Sequence, residues 1–149
     1  MDEEHFVVYE SSIGYIVIVT KNGKVVSLDV TDKGTYEANG KVVSLDVTDK
    51  GTYEARKMIL SIYPDARESM TPFKTIRTLL DRYLQGREVD FDVEVDISHL
   101  GSFTRKVLNE LRKVPYGEIR SYGWLAKKVG RPGAARAVGQ ALKRNPIPI

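Results

Sequence analysis

SYGWLAKKVGRPGAARAVGQALKRN, residues 121–145, is the stretch on which the reading of the fold turns. Ser121 stands where a side-chain oxygen can accept from the unpaired backbone N–H groups of a helix, and Gly130 stands where a left-handed residue ends one. SYGWLAKKV therefore predicts a short helix. Arg131-Pro132-Gly133 turns the chain into AARAVGQALKRN, where Pro132 suits a helix entry and Lys143 and Arg144 suit the negative end of the helix dipole. Two short helices with a tight glycine-containing connection outline a helix-turn-helix. Upstream, SFTRKVLNELRKV predicts another helix, capped by Ser102, with Phe103, Val107, Leu108 and Leu111 as its buried stripe, and Pro115-Tyr116-Gly117 ends it in a turn. Residues 99–149 thus read as an all-α unit.

Its charge separates this unit from the rest. Residues 101–149 carry eleven Lys and Arg against Glu110 and Glu118, a net +9, so the first 100 residues carry −6 of the overall +3. Such asymmetry suits a surface whose cations displace counterions from a polyanion, although a solvated basic face has the same composition. The second helix is also unusually slim, because Ala134, Ala135, Ala137, Gly139 and Ala141 leave little bulk around Arg136. A helix so stripped can approach a groove or a sugar–phosphate backbone closely, with one guanidinium projecting. Small residues serve close helix–helix packing equally well, and both uses stay open on pattern alone.

Residues 1–98 read as a small α/β domain. YIVIVTKNGKVVSLDV (15–30) alternates apolar and polar residues around Asn22-Gly23, the dipeptide of a type I′ turn, and predicts a β-hairpin. NGKVVSLDVTDKGTYEA then occupies 22–38 and recurs letter for letter at 39–55. Two identical copies are too few for a solenoid and too alike for a diverged structural repeat, which points to a recent duplication or an assembly artefact. Either KVVSLDV can fill one place in a sheet, so one copy is expected in the native strand and the other in an added hairpin or loop. The two TYEA segments are expected to differ, since one runs into Asn39-Gly40 and the other into the helical ARKMILSIY. TPFKTIRTLLDRYL (71–84) sets Phe73, Ile76, Leu80, Tyr83 and Leu84 on one helical face, with Gln85-Gly86 closing it. FDVEVDI (91–97) alternates as a strand.

Several functions are excluded by composition. The 149 residues contain no cysteine and only His5 and His99, so no disulfide, thiolate zinc site or cysteine nucleophile lies among them, and no metal site or cofactor is expected. No apolar run approaches the roughly 20 residues of a membrane span, and the start, MDEEHFVVYE, is acidic where a secretory signal is basic. A cytoplasmic location is expected.

Within residues 114–149 the motifs Pro115-Tyr116-Gly117-Glu118, Ser121-Tyr122-Gly123, Leu125-Ala126, Ala135-Arg136-Ala137-Val138-Gly139 and Asn145-Pro146 occur in order, and SFTRKVL (102–108) precedes them. Together they resemble the DNA-binding domain of the O6-alkylguanine-DNA alkyltransferases, also called methylated-DNA–protein-cysteine methyltransferases. The resemblance implies an α/β N-terminal ribonuclease-H-like domain followed by an all-α helix-turn-helix domain. Its implied partner is double-stranded DNA containing O6-alkylguanine, bound by a monomer for DNA repair.

The family's residues carry over one by one. The helix from Ala134 would enter the minor groove, and Arg136 matches the arginine that fills the stack vacated by the damaged guanine. Tyr122 matches the tyrosine that crowds the target phosphate and helps turn the base outward. Asn145 matches the asparagine bracing the turn towards the active site, and Ser121, Ala134, Ala135 and Gly139 complete the implied DNA-binding and base-flipping set. Lys127, Lys128, Lys143 and Arg144 are candidate phosphate contacts, with plain solvation the alternative. In the family a short apolar strand after Asn-Pro leads to Pro-Cys-His-Arg, whose cysteine accepts the alkyl group. That motif is expected just past Ile149. The 149 residues are therefore expected to recognise the lesion without accepting its alkyl group, and to end in a loose apolar tail, Ile147 and Ile149, at a cost in stability. Two rivals remain: a non-enzymatic alkyltransferase-like lesion binder, and a helix-turn-helix regulator reading the major groove, which needs polar base-reading side chains.

Overall fold

The structure, a computed structural model, describes residues 2–31, 35–38, 41–44 and 49–148. It divides into a first unit of residues 1–96, joined by 147–149, and a second of residues 97–146.

The first unit grows from the predicted hairpin. β1 (Glu4–Ser11) pairs antiparallel with β2 (Gly14–Lys21), which pairs antiparallel with β3 (Lys24–Thr31). Asn22 at φ 51° and Gly23 at φ 77° make the connection, as a type I′ turn requires. The N-terminus clamps that turn: Glu3 N–H donates to Asn22 Oδ1 at 2.9 Å, and Asn22 returns its own N–H to the Glu3 carbonyl at 2.8 Å. Among the described residues β4 (Thr35–Ala38) and β5 (Lys41–Ser44) pair with each other in a separate two-stranded sheet, α1 (Asp49–Ile62) comes next, and β6 (Arg67–Glu68) runs parallel to β1. The main sheet therefore has the order β3-β2-β1-β6.

Both faces of this sheet are covered. Phe6, Val8, Tyr15, Val17 and Val19 pack against Ala55, Met58 and Ile59 of α1. The intervening residues Val7, Tyr9, Ile16 and Ile18 point the other way, onto Phe73, Ile76 and Leu80. Phe73 closes a 3-10 turn (Thr71–Phe73), and the other two lie on α2 (Lys74–Leu84). Burial on two sides explains why β2 is a near-continuous apolar run instead of the alternating strand read from the sequence. Burial also pushes the Tyr9 phenol up to about 12, while the Arg77 guanidinium lies 4.6 Å from its ring centre. Gly86, at φ 76°, ends α2 as expected, with Arg87 N–H returning to the Arg82 carbonyl at 3.1 Å.

One predicted strand is corrected. Residues 91–97 meet the sheet's backbone at the isolated Val25–Val95 bridge, with Val25 N–H to Glu94 O at 2.9 Å and Asp96 N–H to Val25 O at 2.8 Å. The alternation in FDVEVDI is real, because Phe91, Val93 and Val95 pack on the core beside α2. It records one buried face without a hydrogen-bonded ladder.

The repeated segment is used unequally. KVVSLDV of the first copy supplies β3, whereas KVVS of the second forms β5, outside the main sheet. TYEA is strand β4 in the first copy and lies inside α1 in the second. The cause lies in the residues immediately C-terminal to each copy. After the second copy, apolar residues continue Ala55 at helical spacing as Met58, Ile59 and Ile62, all packed on the sheet. After the first comes Asn-Gly, which favours reversal into β5. Amide hydrogen exchange at residues 52–55 is therefore expected to be slower than at residues 35–38, because the helical copy is anchored by fully buried Ala55. Equal, strong protection of both segments contradicts this assignment.

The second unit is three helices, α3 (Ser102–Arg112), α4 (Tyr122–Lys128) and α5 (Ala135–Lys143). Val107, Leu125, Ala126, Val138 and Ala141 form its core, with Phe103, Leu111, Trp124 and Leu142 packed around them. Two details of the α3 reading change. Gly101, in extended conformation, takes the N-cap position, so Ser102 is the first helical residue and no side chain caps the helix. Buried Thr104 joins Val107 on the inner face, while Leu108 is only half-buried. The expected loose end is also corrected at Ile147, which packs against the core beside α2 in the first unit; Ile149 lies outside the described residues.

Candidate nucleic-acid interface

The helix-turn-helix is assembled as its punctuation dictates. Glu118 N–H donates to the Pro115 carbonyl at 3.1 Å across Gly117, which sits at φ 77°. Ser121 Oγ then accepts the Trp124 N–H at 3.1 Å, a cap that stabilises α4 by about 1 kcal/mol. Gly130 at φ 79° and Gly133 at φ 87° bracket the turn, in which Arg131 N–H returns to the Ala126 carbonyl at 2.9 Å. Pro132 lies in this turn and not at the helix entry; Ala134 is the N-cap of α5.

The candidate residues separate into inward and outward sets. Arg136, Ala137, Gln140, Lys143 and Arg144 are exposed, and Arg136, Gln140 and Arg144 succeed one another at four-residue spacing along one side of α5. Arg136 is in the first turn, where the helix dipole disfavours a cation by a few tenths of a kcal/mol, and no acidic residue is there to offset it. A side chain placed against local preference suits a role toward an outside ligand. Ala134 and Ala141, by contrast, pack in the unit's core. For these two the small side chain serves helix packing.

Tyr122 opens α4 half in solvent, 53% exposed, with its ring against α5 at Gly139. Ala135 is half-buried, and Asn145 is half-buried with its N–H on the Leu142 carbonyl at 3.1 Å. Lys127 is exposed on α4. Lys128, also exposed, lies with its Nζ 5.3 Å from the Trp124 ring centre.

Sequence reading missed three features here. Gln140 is one, found by counting four residues on from Arg136. The Arg120 guanidinium is another: it stands 5.3 Å from the Trp124 ring centre and pairs with Glu118, so cations stack on Trp124 from two places in the chain. Ile119 is the third, 91% exposed between the Gly117 turn and α4. Nothing in an isolated Glu-Ile-Arg signals that an isoleucine will face water.

The described residues thus form an α/β unit followed by a basic helix-turn-helix unit. Two family models cover nearly all of this chain: "6-O-methylguanine DNA methyltransferase, ribonuclease-like domain" matches residues 5–97, and "6-O-methylguanine DNA methyltransferase, DNA binding domain" matches residues 102–149. The chain belongs to the 6-O-methylguanine DNA methyltransferase family. Among curated relatives, a methylated-DNA–protein-cysteine methyltransferase of Mycobacterium leprae is 42% identical over 96 residues, covering 62% of this chain and 58% of that protein. One of Archaeoglobus fulgidus is 43% identical over 70 residues, covering 47% and 46%. The chain thus spans little more than half of the first relative's length. The crystal structure of Mycobacterium tuberculosis O6-methylguanine methyltransferase superposes with a TM-score of 0.71 at 30% identity, over 97% of this chain and 72% of that one. That of Mycobacterium tuberculosis OGT in complex with DNA gives 0.70 at 28%, over 97% and 73%.

Proposed function

We propose that this chain recognises O6-alkylguanine in duplex DNA and turns the damaged base out of the helix for direct repair. The exposed Arg136 in the first turn of a slim, basic helix is the observation that carries this reading. In it, α5 lies in the minor groove and Arg136 fills the gap in the stack, while Tyr122 crowds the phosphate of the target nucleotide. Extruding a base costs a few kcal/mol of stacking and pairing, which a guanidinium and its hydrogen bonds inside the duplex partly offset. Ser121 holds the start of α4, Ala135 and Gly139 limit bulk on α5, and Asn145 braces the chain after α5. Lys127, Lys128, Lys143 and Arg144 contact phosphates. In this reading the protein acts as a monomer in the cytoplasm; none of its described helices is long and apolar enough to cross a membrane. The acceptor thiol of the family reaction is not among these 149 residues, which contain no cysteine.

A regulator reading the major groove gains one point, since exposed Gln140 is a base-reading type of side chain. Fluorescence of 2-aminopurine beside O6-methylguanine separates the two readings. Base eversion raises the signal, and Arg136→Ala is expected to cut that rise by about tenfold, equivalent to about 1.4 kcal/mol. An unchanged rise in the variant sinks the eversion reading; a protein that prefers one undamaged sequence and gives no rise is the regulator.

A further inference from the structure

We infer that Gly139 is a positioning residue that seats the Tyr122 ring for base eversion. This rests on the eversion reading above and adds to it a reason for glycine at this place in α5. A Cβ added at Gly139 would stand 3.3 Å from Cε2 and 3.5 Å from Cδ2 of Tyr122, tight enough that the ring would have to give by a few tenths of an ångström. The other glycine inside these helices, Gly123, would bring its Cβ no closer than 3.8 Å to anything, and that neighbour is the Ser121 hydroxyl.

Backbone conformation does not call for glycine at 139, which lies within regular helix and outside the positive-φ set. Helix propensity argues against it, since glycine is the worst ordinary helix former after proline. The ring is what the residue accommodates. Tyr122 is half exposed, and an aromatic side chain in that situation samples several rotamers unless something flat supports one of them. Bare helix backbone at Gly139 gives such support while leaving the rest of the ring open to a nucleotide. Tyr122 is then already ordered when DNA arrives, and the ordering does not count against the bound state. A methyl group at 139 pushes the ring off this seat by a few tenths of an ångström.

The test is a double-mutant cycle in the 149-residue chain: Gly139→Ala, Tyr122→Ala and the pair. Anisotropy reports affinity for duplex DNA, and 2-aminopurine beside O6-methylguanine reports eversion. Gly139→Ala is expected to lower the eversion signal by about threefold to tenfold, more than it lowers affinity. With Tyr122 already replaced by Ala, the same change is expected to alter the signal by less than about 1.5-fold. A thermal melt guards against misfolding: Gly139→Ala, a substitution that raises helix propensity, should still unfold in a single cooperative transition.

Equal losses from Gly139→Ala with and without Tyr122 overturn the inference, leaving groove clearance as the role of the glycine; so does no loss at all. Nuclear Overhauser contacts between Gly139 Hα and the Tyr122 ring protons examine the seat without DNA. Their absence in wild type overturns the inference even where eversion is intact. A Tyr122→Ala variant with wild-type signal instead removes the eversion role of Tyr122, and the role of Gly139 with it.

Discussion

Raising the salt from 50 to 200 mM is expected to weaken binding to duplex DNA by about 150-fold. The figure comes from counterion release: four phosphate contacts, at Lys127, Lys128, Lys143 and Arg144, give a log–log slope of about −3.6, and a fourfold change in salt then multiplies Kd by about 150. All four side chains are exposed, and residues 101–149 are net +9 against −6 for the first 100 residues. Lys128 is the one whose share is open to direct test, because its ammonium also lies by Trp124. Replacing Lys143 or Arg144 with alanine should reduce the slope by about one each. Binding that weakens less than about tenfold across this range means the basic face is solvated surface and not a phosphate track.

Incubating the 149 residues with a duplex carrying radiolabelled O6-methylguanine is expected to leave the protein unlabelled, a complete loss relative to a self-methylating enzyme. Direct transfer to protein needs a nucleophile with its proton already removed and a base or charge that keeps it so. The chain contains no thiol, and its only imidazoles are His5 and His99. His5 lies in β1 of the first unit, 3.7 Å from Glu3, and His99 is exposed at the head of the second. Ser121, next to the proposed eversion machinery, has its oxygen engaged in capping α4. Lysine ammonium groups, charged at neutral pH, present no lone pair to a methyl group. One equivalent of label per chain refutes this account of the nucleophile.

How much of this could be read in advance varied with how local the cause was. Asn22-Gly23, Gly86, Gly117, Ser121 and Gly130 act through their own φ angles or a hydrogen bond three residues away, and all five punctuate the chain where the sequence places them. The strand expected at 91–97 depended on a partner, and alternation cannot distinguish a paired strand from an extended segment resting on a core. Ser102 failed as a cap because Gly101, one residue earlier, already satisfies the conformational requirement. Gly139 was legible as small, but whether for a groove or for a neighbour needed the Tyr122 ring in place. Ile119 was illegible because its exposure is set by the path between α3 and α4. The family membership was legible for another reason: five ordered motifs constrain one another far more tightly than any single helix pattern.

The tandem copies have a genetic consequence. Excising 22–38 and excising 39–55 yield one and the same shorter polypeptide, so no deletion can reveal which copy the sheet prefers. Only a point change marking one copy can separate them. Until then Thr-Tyr-Glu-Ala, once extended and once coiled within a single molecule, is an internal calibration in which solvent, temperature and residue identity cancel, and what differs is the company each copy keeps.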